Sequence, residues 1–290
     1  MASAARNTLF ILPAFALHAA VVSVPLISLM FFSFTDWNGL ATPSFVGFSN
    51  FSRMLFDDVN FRRALVNNVT YMLIFLTIPI AFGLLMAMLT VRTGRLQVVY
   101  QALFFIPYVV SPAIAGKIFM MFYDPYNGIG QFFASIGWSF LADIQYIGNR
   151  SITLFSIAFV DIWHWWGFVM VIFVAALHQV DRSLYEAAEI DGATKLQRFF
   201  HVTLPQIRPT LLTLITVTIV GSFVTFDYVY VMTQGGPAGA SEMASTWIYK
   251  RAFSSYEVGY ASAMSIFVCG ACVLAYWLFQ RIRRNSEVMP

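Results

Sequence analysis

Six apolar runs, each long enough to cross a lipid bilayer, limit what this chain can fold into. They occupy residues 8–34, 69–91, 98–122, 151–177, 209–232 and 260–280. A helix needs about 20 apolar residues to span the roughly 30 Å hydrocarbon core. Strands of a membrane barrel would instead be about 10 residues of alternating polarity, and these runs are apolar throughout. Only 11% of the residues are charged, against about a quarter in an ordinary soluble domain. The expectation is an all-α integral membrane protein with six transmembrane helices in a single domain over 1–290. The first run is too long for a signal-peptide core and reads as a retained anchor. The formal charge of +3 comes from scattered basic residues, with none of the one-sided striping a nucleic acid requires. Membrane lipid is the expected surroundings. Cys269 and Cys272 form a C-x-x-C inside an apolar run. With no nearby His or Cys to complete a metal site, they read as small packing residues.

Six spans put both termini on one side, and Lys and Arg decide which side faces the cytoplasm. One side carries Arg6, Arg92, Arg95, Arg182, Lys195, Arg198, Arg208, Arg281, Arg283 and Arg284, the other only Arg53, Arg62, Arg63, Arg150, Lys250 and Arg251. The richer side is read as cytoplasmic, with both termini there. Lys117, near the outer end of the third run, can snorkel. Asn68-Val-Thr70 and Asn149-Arg-Ser151 match the glycosylation pattern, which carries no meaning if the cell is bacterial.

The cytoplasmic segment 178–208 gathers charge between two apolar runs that hold one acidic residue each: EAAEIDGATKLQRFFHVTLPQIRP, residues 186–209. Ser183 to Glu186 fits a capping box, and Thr194 to Gln197 a second one. Gly192 lies between them, where a left-handed residue ends a helix. Two short helices joined at a bend are expected, with Pro205 and Pro209 directing the chain into the next span. Leu184, Ala188, Leu196, Phe199 and Phe200 would give this knob an apolar surface within a charged rim. Two readings stand on the residues alone: a docking element for a partner's groove, or a solvated loop that only reverses the chain.

Glu186-Ala187-Ala188, Asp191-Gly192-Ala193, Phe199 and Leu204-Pro205 fall in the spacing EAA-x2-DGA-x5-F-x4-LP. This resembles the EAA loop of ABC importer permeases. The resemblance continues through FVGFSNFSRML before the second span and through FDYVYVMTQGGPAGASEMASTWIYKRAF, the ending of the maltose and glycerol-phosphate branch. Thr233-Gln234-Gly235-Gly236-Pro237 is its sharpest part. In the third span that branch commonly pairs a Trp with a Lys; here Lys117 stands without the Trp. The resemblance implies the type I importer permease fold (MetI-like) and a subunit of a bacterial inner-membrane importer. It also implies its partners: a second permease, giving a heterodimer, two copies of an ABC ATPase, and a periplasmic solute-binding protein. ATP and Mg would belong to the ATPase, with no cofactor bound by this chain, which has no G-x-x-x-x-G-K-[ST] phosphate loop. Glu186, Ala187, Ala188, Asp191, Gly192, Ala193, Phe199, Leu204 and Pro205 would form the ATPase-coupling element. The implied cargo is a disaccharide, glycoside, polyol or glycerol-phosphate-like solute.

Ionisable groups at mid-membrane cost about 2.5–3.5 kcal/mol on insertion scales and are functional suspects. Asp161 and His164, three residues apart in the fourth run, share a face, with Trp163, Trp165 and Trp166 around them. Aromatic faces beside polar groups suit a sugar ring. The alternative is an Asp–His hydrogen bond that locks this helix, with Trp as packing. In the fifth run Thr218, Ser222 and Thr225 either line a path or bond back to their own helix. Asp227 and Tyr228 complete the path candidates. A secondary transporter would need a coupling-ion site and have no use for the knob. A membrane enzyme would need a nucleophile near Asp161 and His164, which the sequence does not supply.

Overall fold

The computed structural model describes residues 12–287, with side chains as far as Arg281. Arg6 and the side chains of Arg283 and Arg284 lie outside the described residues. The order is α1 (Leu12–Phe32), α2 (Val59–Thr90), α3 (Gln97–Val109), α4 (Pro112–Phe122), α5 (Thr153–His178), α6 (Arg182–Ile190), α7 (Lys195–Arg198), α8 (Leu204–Val224), α9 (Asp227–Met232), α10 (Ala244–Tyr249) and α11 (Val258–Glu287). Among the described residues there is no strand beyond one isolated bridge, Thr35 with Phe45. Five helical runs are long and apolar enough to cross a membrane: Leu12–Phe32, Val59–Val109, Thr153–His178, Lys195–Met232 and Val258–Arg281. The second of these holds the second expected span and the first half of the third, because Gly94 (φ 58°) reverses the chain between α2 and α3.

Two spans are interrupted. The third, expected unbroken over 98–122, is split between α3 and α4. Val110 and Ser111 are extended (ψ 135° and 137°), as the residue before Pro112 must be. The fifth breaks at Thr225 (ψ 122°) before α9 starts. In the other direction, α2 begins ten residues earlier than the apolar run, at Val59 rather than 69. Asp58 explains this: its Oδ1 accepts from the Phe61 amide at 2.9 Å and caps the helix.

The chain divides into two compact units. One comprises residues up to Arg62 with Trp247–Ala271. In it α1 is unburied along its apolar window, and its lone histidine, His18, is exposed. Asp58 Oδ2 takes the Trp247 Nε1–H at 2.9 Å and the Tyr260 hydroxyl at 2.8 Å. Arg251 reaches Glu257 at 3.2 Å and lies 4.5 Å over the Trp247 ring. Burial works against the charge on Asp58, but the bonds from Trp247, Phe61 and Tyr260, with Arg251 nearby, hold its carboxyl below its usual range.

The other unit comprises Arg63–Thr246 with the chain from Cys272 onward, and α5 is its centre. Helix α5 contacts α3, α4, α8 and α9. Ile157, Val160, Val169, Met170 and Phe173 on it have no exposed surface. Small residues permit the closest crossings, as membrane interfaces require. A Cβ on Gly167 would stand 2.0 Å from the Phe104 carbonyl oxygen, and one on Gly83 2.7 Å from Val169 Cγ1.

Candidate coupling and translocation sites

The knob starts at Asp181, not Ser183. Asp181 is the N-cap of α6, accepting from the Ser183 amide at 2.9 Å. That amide and the Ser183 hydroxyl hold its carboxyl below the usual range. An aspartate caps as well as a serine and adds charge at the positive helix end, so the box expected at Ser183 and Glu186 does not form. Glu186 instead pairs with Arg182 Nε at 3.1 Å, both side chains largely in solvent. Such a pair is worth about 0.3–0.5 kcal/mol, which leaves Glu186 available to a partner.

The bend is a Schellman motif. The Gly192 amide donates to Glu189 O at 3.1 Å and the Ala193 amide to Ala188 O at 2.9 Å, with Gly192 at φ +76°. This accounts for DGA as C-cap, left-handed residue and closing amide, and it brings the small Ala188 and Ala193 together. The second box forms as expected: Thr194 and Gln197 exchange bonds of 2.8 and 3.3 Å. Across the bend Arg198 meets Glu189 at 3.2 Å, and the Tyr185 hydroxyl meets Thr203 Oγ1 at 2.9 Å. Phe199 and Leu204 are half-buried; Ala187, Asp191 and Pro205 are exposed. Pro205 does not stop the helix. It occupies the first turn of α8, where it supplies no N–H, and a π-turn over Phe199–Thr203 joins α7 to α8. Leu184, Ile190, Leu196 and Phe200 are 39–86% exposed, an apolar surface of the kind that marks an interface.

The intramembrane candidates separate into locks and orphans. Asp161 and His164 do not bond to each other, so the alternative of an Asp–His lock does not form. Asp161 Oδ2 accepts from the Tyr71 hydroxyl of α2 at 2.5 Å, with Asp227 an electrostatic neighbour. His164 Nε2 lies 2.8 Å from Val110 O. A carbonyl can only accept, so this nitrogen carries the proton. The bond satisfies the carbonyl left free where the third span breaks. Trp166 packs between Phe82 (4.9 Å) and Phe104 (5.2 Å), and Trp163 against Phe119. Ser222 bonds back to Thr218 O at 2.8 Å and Thr225 to Gly221 O at 3.1 Å. By contrast Trp165 Nε1, Thr218 Oγ1 and Tyr228 Oη are buried with no hydrogen-bond partner among the described residues. The Tyr228 ring is 6.0 Å from that of His164.

One group of residues was not anticipated. Arg63, Asn67 and Asn68 of α2 hold the loop after α9. Arg63 donates to Ala238 O at 3.1 Å, and Asn67 to Ala240 O and Glu242 O at 3.1 and 2.9 Å. Asn68 donates to Ser222 O at 2.7 Å and accepts from the Ala244 amide at 2.9 Å. The signal was a pair of amides at the edge of an apolar run. Asn68 is wholly buried and so closed to glycosylation.

Residues 79–287 match the family described as the binding-protein-dependent transport system inner membrane component. The chain belongs to this family. The permease is 33% identical over 90% of its length to the probable ABC transporter permease protein YurN of Bacillus subtilis, covering 89% of that protein. It is 30% identical over 97% of its length to the probable starch degradation products transport system permease protein AmyD of Thermoanaerobacterium thermosulfurigenes, covering 95% of it. Its fold matches a bacterial alginate ABC transporter crystallised with an alginate pentasaccharide-bound periplasmic protein, at TM-score 0.85 and 22% identity over 97% of this chain and 95% of that one. The permease is therefore a multi-pass membrane protein of the type I ABC importer fold, and a transport subunit rather than an enzyme.

Proposed function

We propose that the permease forms part of the translocation path for a carbohydrate or related solute: a disaccharide, glycoside, polyol or glycerol-phosphate-like compound. In this reading it sits in the inner membrane with both termini cytoplasmic and pairs with a second, different permease. The pair engages two ABC ATPases, which hold ATP and Mg, and receives solute from a periplasmic binding protein. The printed name of AmyD, at 30% identity along nearly the whole chain, and the Thr233–Pro237 segment support the carbohydrate class. The observation that carries the coupling role is the knob itself: three exposed apolar side chains, Leu184, Ile190 and Phe200, on a rigid bend, with a weakly held Glu186 beside them. Glu186 would contact the ATPase. Ala187 and Ala188 keep the knob narrow, Asp191, Gly192 and Ala193 shape the bend, and Phe199, Leu204 and Pro205 root it in α8. Trp165, Thr218 and Tyr228 offer polar atoms to a passing solute, whereas Asp161, His164, Trp166, Ser222 and Thr225 mainly hold the helices that present them; Asp227 stands exposed beside Tyr228.

The test is reconstitution of the complete complex in proteoliposomes with its binding protein and a panel of sugars. A carbohydrate should stimulate ATP hydrolysis, and Glu186→Ala should insert normally yet lose that stimulation. Stimulation by amino acids or metals alone would reject the cargo class, and unchanged coupling in Glu186→Ala would reject the role of the knob.

A further inference from the structure

A groove of about 560 Å³ lies between the knob end of α2 and the start of α7. Ala81, Leu85 and Met88 form one wall and Leu196 part of the other, with Arg92 and Lys195 at the groove's rim. Leu85 is 52% exposed and Leu196 67% exposed. Neither Arg92 nor Lys195 makes an ion pair or side-chain hydrogen bond among the described residues, and no carboxylate lines the groove. From Ala81 to Arg92 is eleven residues, about 16 Å along a helix. That is close to half of the roughly 30 Å hydrocarbon core. The groove thus has about the length of one leaflet, apolar walls and two cations with no acidic partner among the described residues.

We propose that this groove is a binding site for one anionic phospholipid, with its phosphate between Arg92 and Lys195 and an acyl chain along α2 toward Ala81. Charge complementarity selects the headgroup: two cations with no facing acid favour a net negative lipid over a zwitterionic one. The apolar walls select a lipid over a free anion, which would occupy the cations and leave Leu85 and Leu196 wet. One wall belongs to the knob, so the bound lipid would brace α7 against α2. The site depends on the membrane location of the chain and not on the coupling role of Glu186.

The test is native mass spectrometry of the purified complex after exchange into nanodiscs of phosphatidylcholine doped with phosphatidylglycerol. Phosphatidylglycerol should be retained over phosphatidylcholine. Arg92→Gln and Lys195→Gln should each lower its retention about fivefold, the weight of roughly 1 kcal/mol per basic residue near a membrane surface, without changing phosphatidylcholine. Ala81→Trp, which fills the apolar wall at constant charge, should displace the lipid as well. Both cations are exposed, so at least one neutral variant should remain monodisperse, and Arg92→Lys should restore retention. Equal retention of the two lipids, unchanged retention in the charge variants, or displacement by inorganic phosphate would overturn the proposal. So would a groove covered by the ATPase subunits, seen as a Leu85→Cys thiol that reacts with a polar reagent only after they are stripped. None of these outcomes depends on transport, so a wrong cargo assignment would leave the lipid result intact.

Discussion

Replacing Gly192 should uncouple the permease through backbone strain alone. Gly192 sits at φ +76° and closes α6 through its amide bond to Glu189 O. No atom other than its immediate neighbours lies within 4 Å of where a Cβ would stand, so the cost of a side chain is conformational and not steric against a neighbour. For an L-residue the left-handed region costs roughly 1–2 kcal/mol. That is a factor of about 5–30 in the population of the closed bend. Asparagine tolerates this region, alanine less, and a β-branched residue least. Proline removes the amide and fixes φ near −65°. Stimulated ATP hydrolysis in proteoliposomes should therefore fall in the order Gly192, Gly192→Asn, Gly192→Ala, Gly192→Val, Gly192→Pro, while membrane insertion stays constant. Equal activity across the series would refute the argument. So would Gly192→Asn falling below Gly192→Ala, since size would then matter and not φ.

Three further outcomes follow from the geometry. His164→Ala strips the donor from Val110 O and should destabilise the permease by about 1–3 kcal/mol, the cost of an unsatisfied buried group; a thermal unfolding shift in detergent reports it, and His164→Gln should recover part of the loss. Gly167→Ala places a methyl 2.0 Å from Phe104 O and should cost at least about 1–3 kcal/mol by overpacking, read the same way, whereas Gly221→Ala, whose added methyl meets nothing within 4 Å, should be silent. For Asp58, whose carboxyl is held below the ordinary carboxylate range in the folded state, the contribution is present above the unfolded pKa and lost as pH falls through the folded one. The stability gap between the permease and Asp58→Asn should then close at pH below about 4, and a gap that widened on acidification would contradict the sign.

Apolar length and the motif spacing made the helical class, the knob and its Gly192 bend legible, because each is local: a run, a cap, a left-handed residue. Local chemistry also set the limits. Asp181 and Ser183 compete for one cap, and sequence spacing favoured the Ser183–Glu186 pair while the structure chose the acid at the helix end. The break at Val110 was open to inference from Pro112, yet an apolar run of that length outweighed it. What could not be read was which groups meet across helices. Asp161 finds Tyr71 ninety residues away, and Asn68 finds Ser222 and Ala244. In an apolar surround an amide or carboxyl takes whichever partner the packing brings, and packing is set by small residues such as Gly83 and Gly167 whose neighbours the sequence does not name.

Helical backbone runs from Lys195, the first residue of α7, through the π-turn at Phe199–Thr203 to Val224, with Pro205 and Pro209 inside it contributing no N–H. Those thirty residues make a rod about 45 Å long. Tilted by some 5° about its base, such a rod sweeps its far end through about 4 Å, more than the diameter of a water molecule, given a helix of that length. The far end carries Ser222 and abuts Thr225 and Tyr228. If a partner pushes on the knob as proposed above, the push reaches Tyr228 as leverage, with no relay of side chains in between.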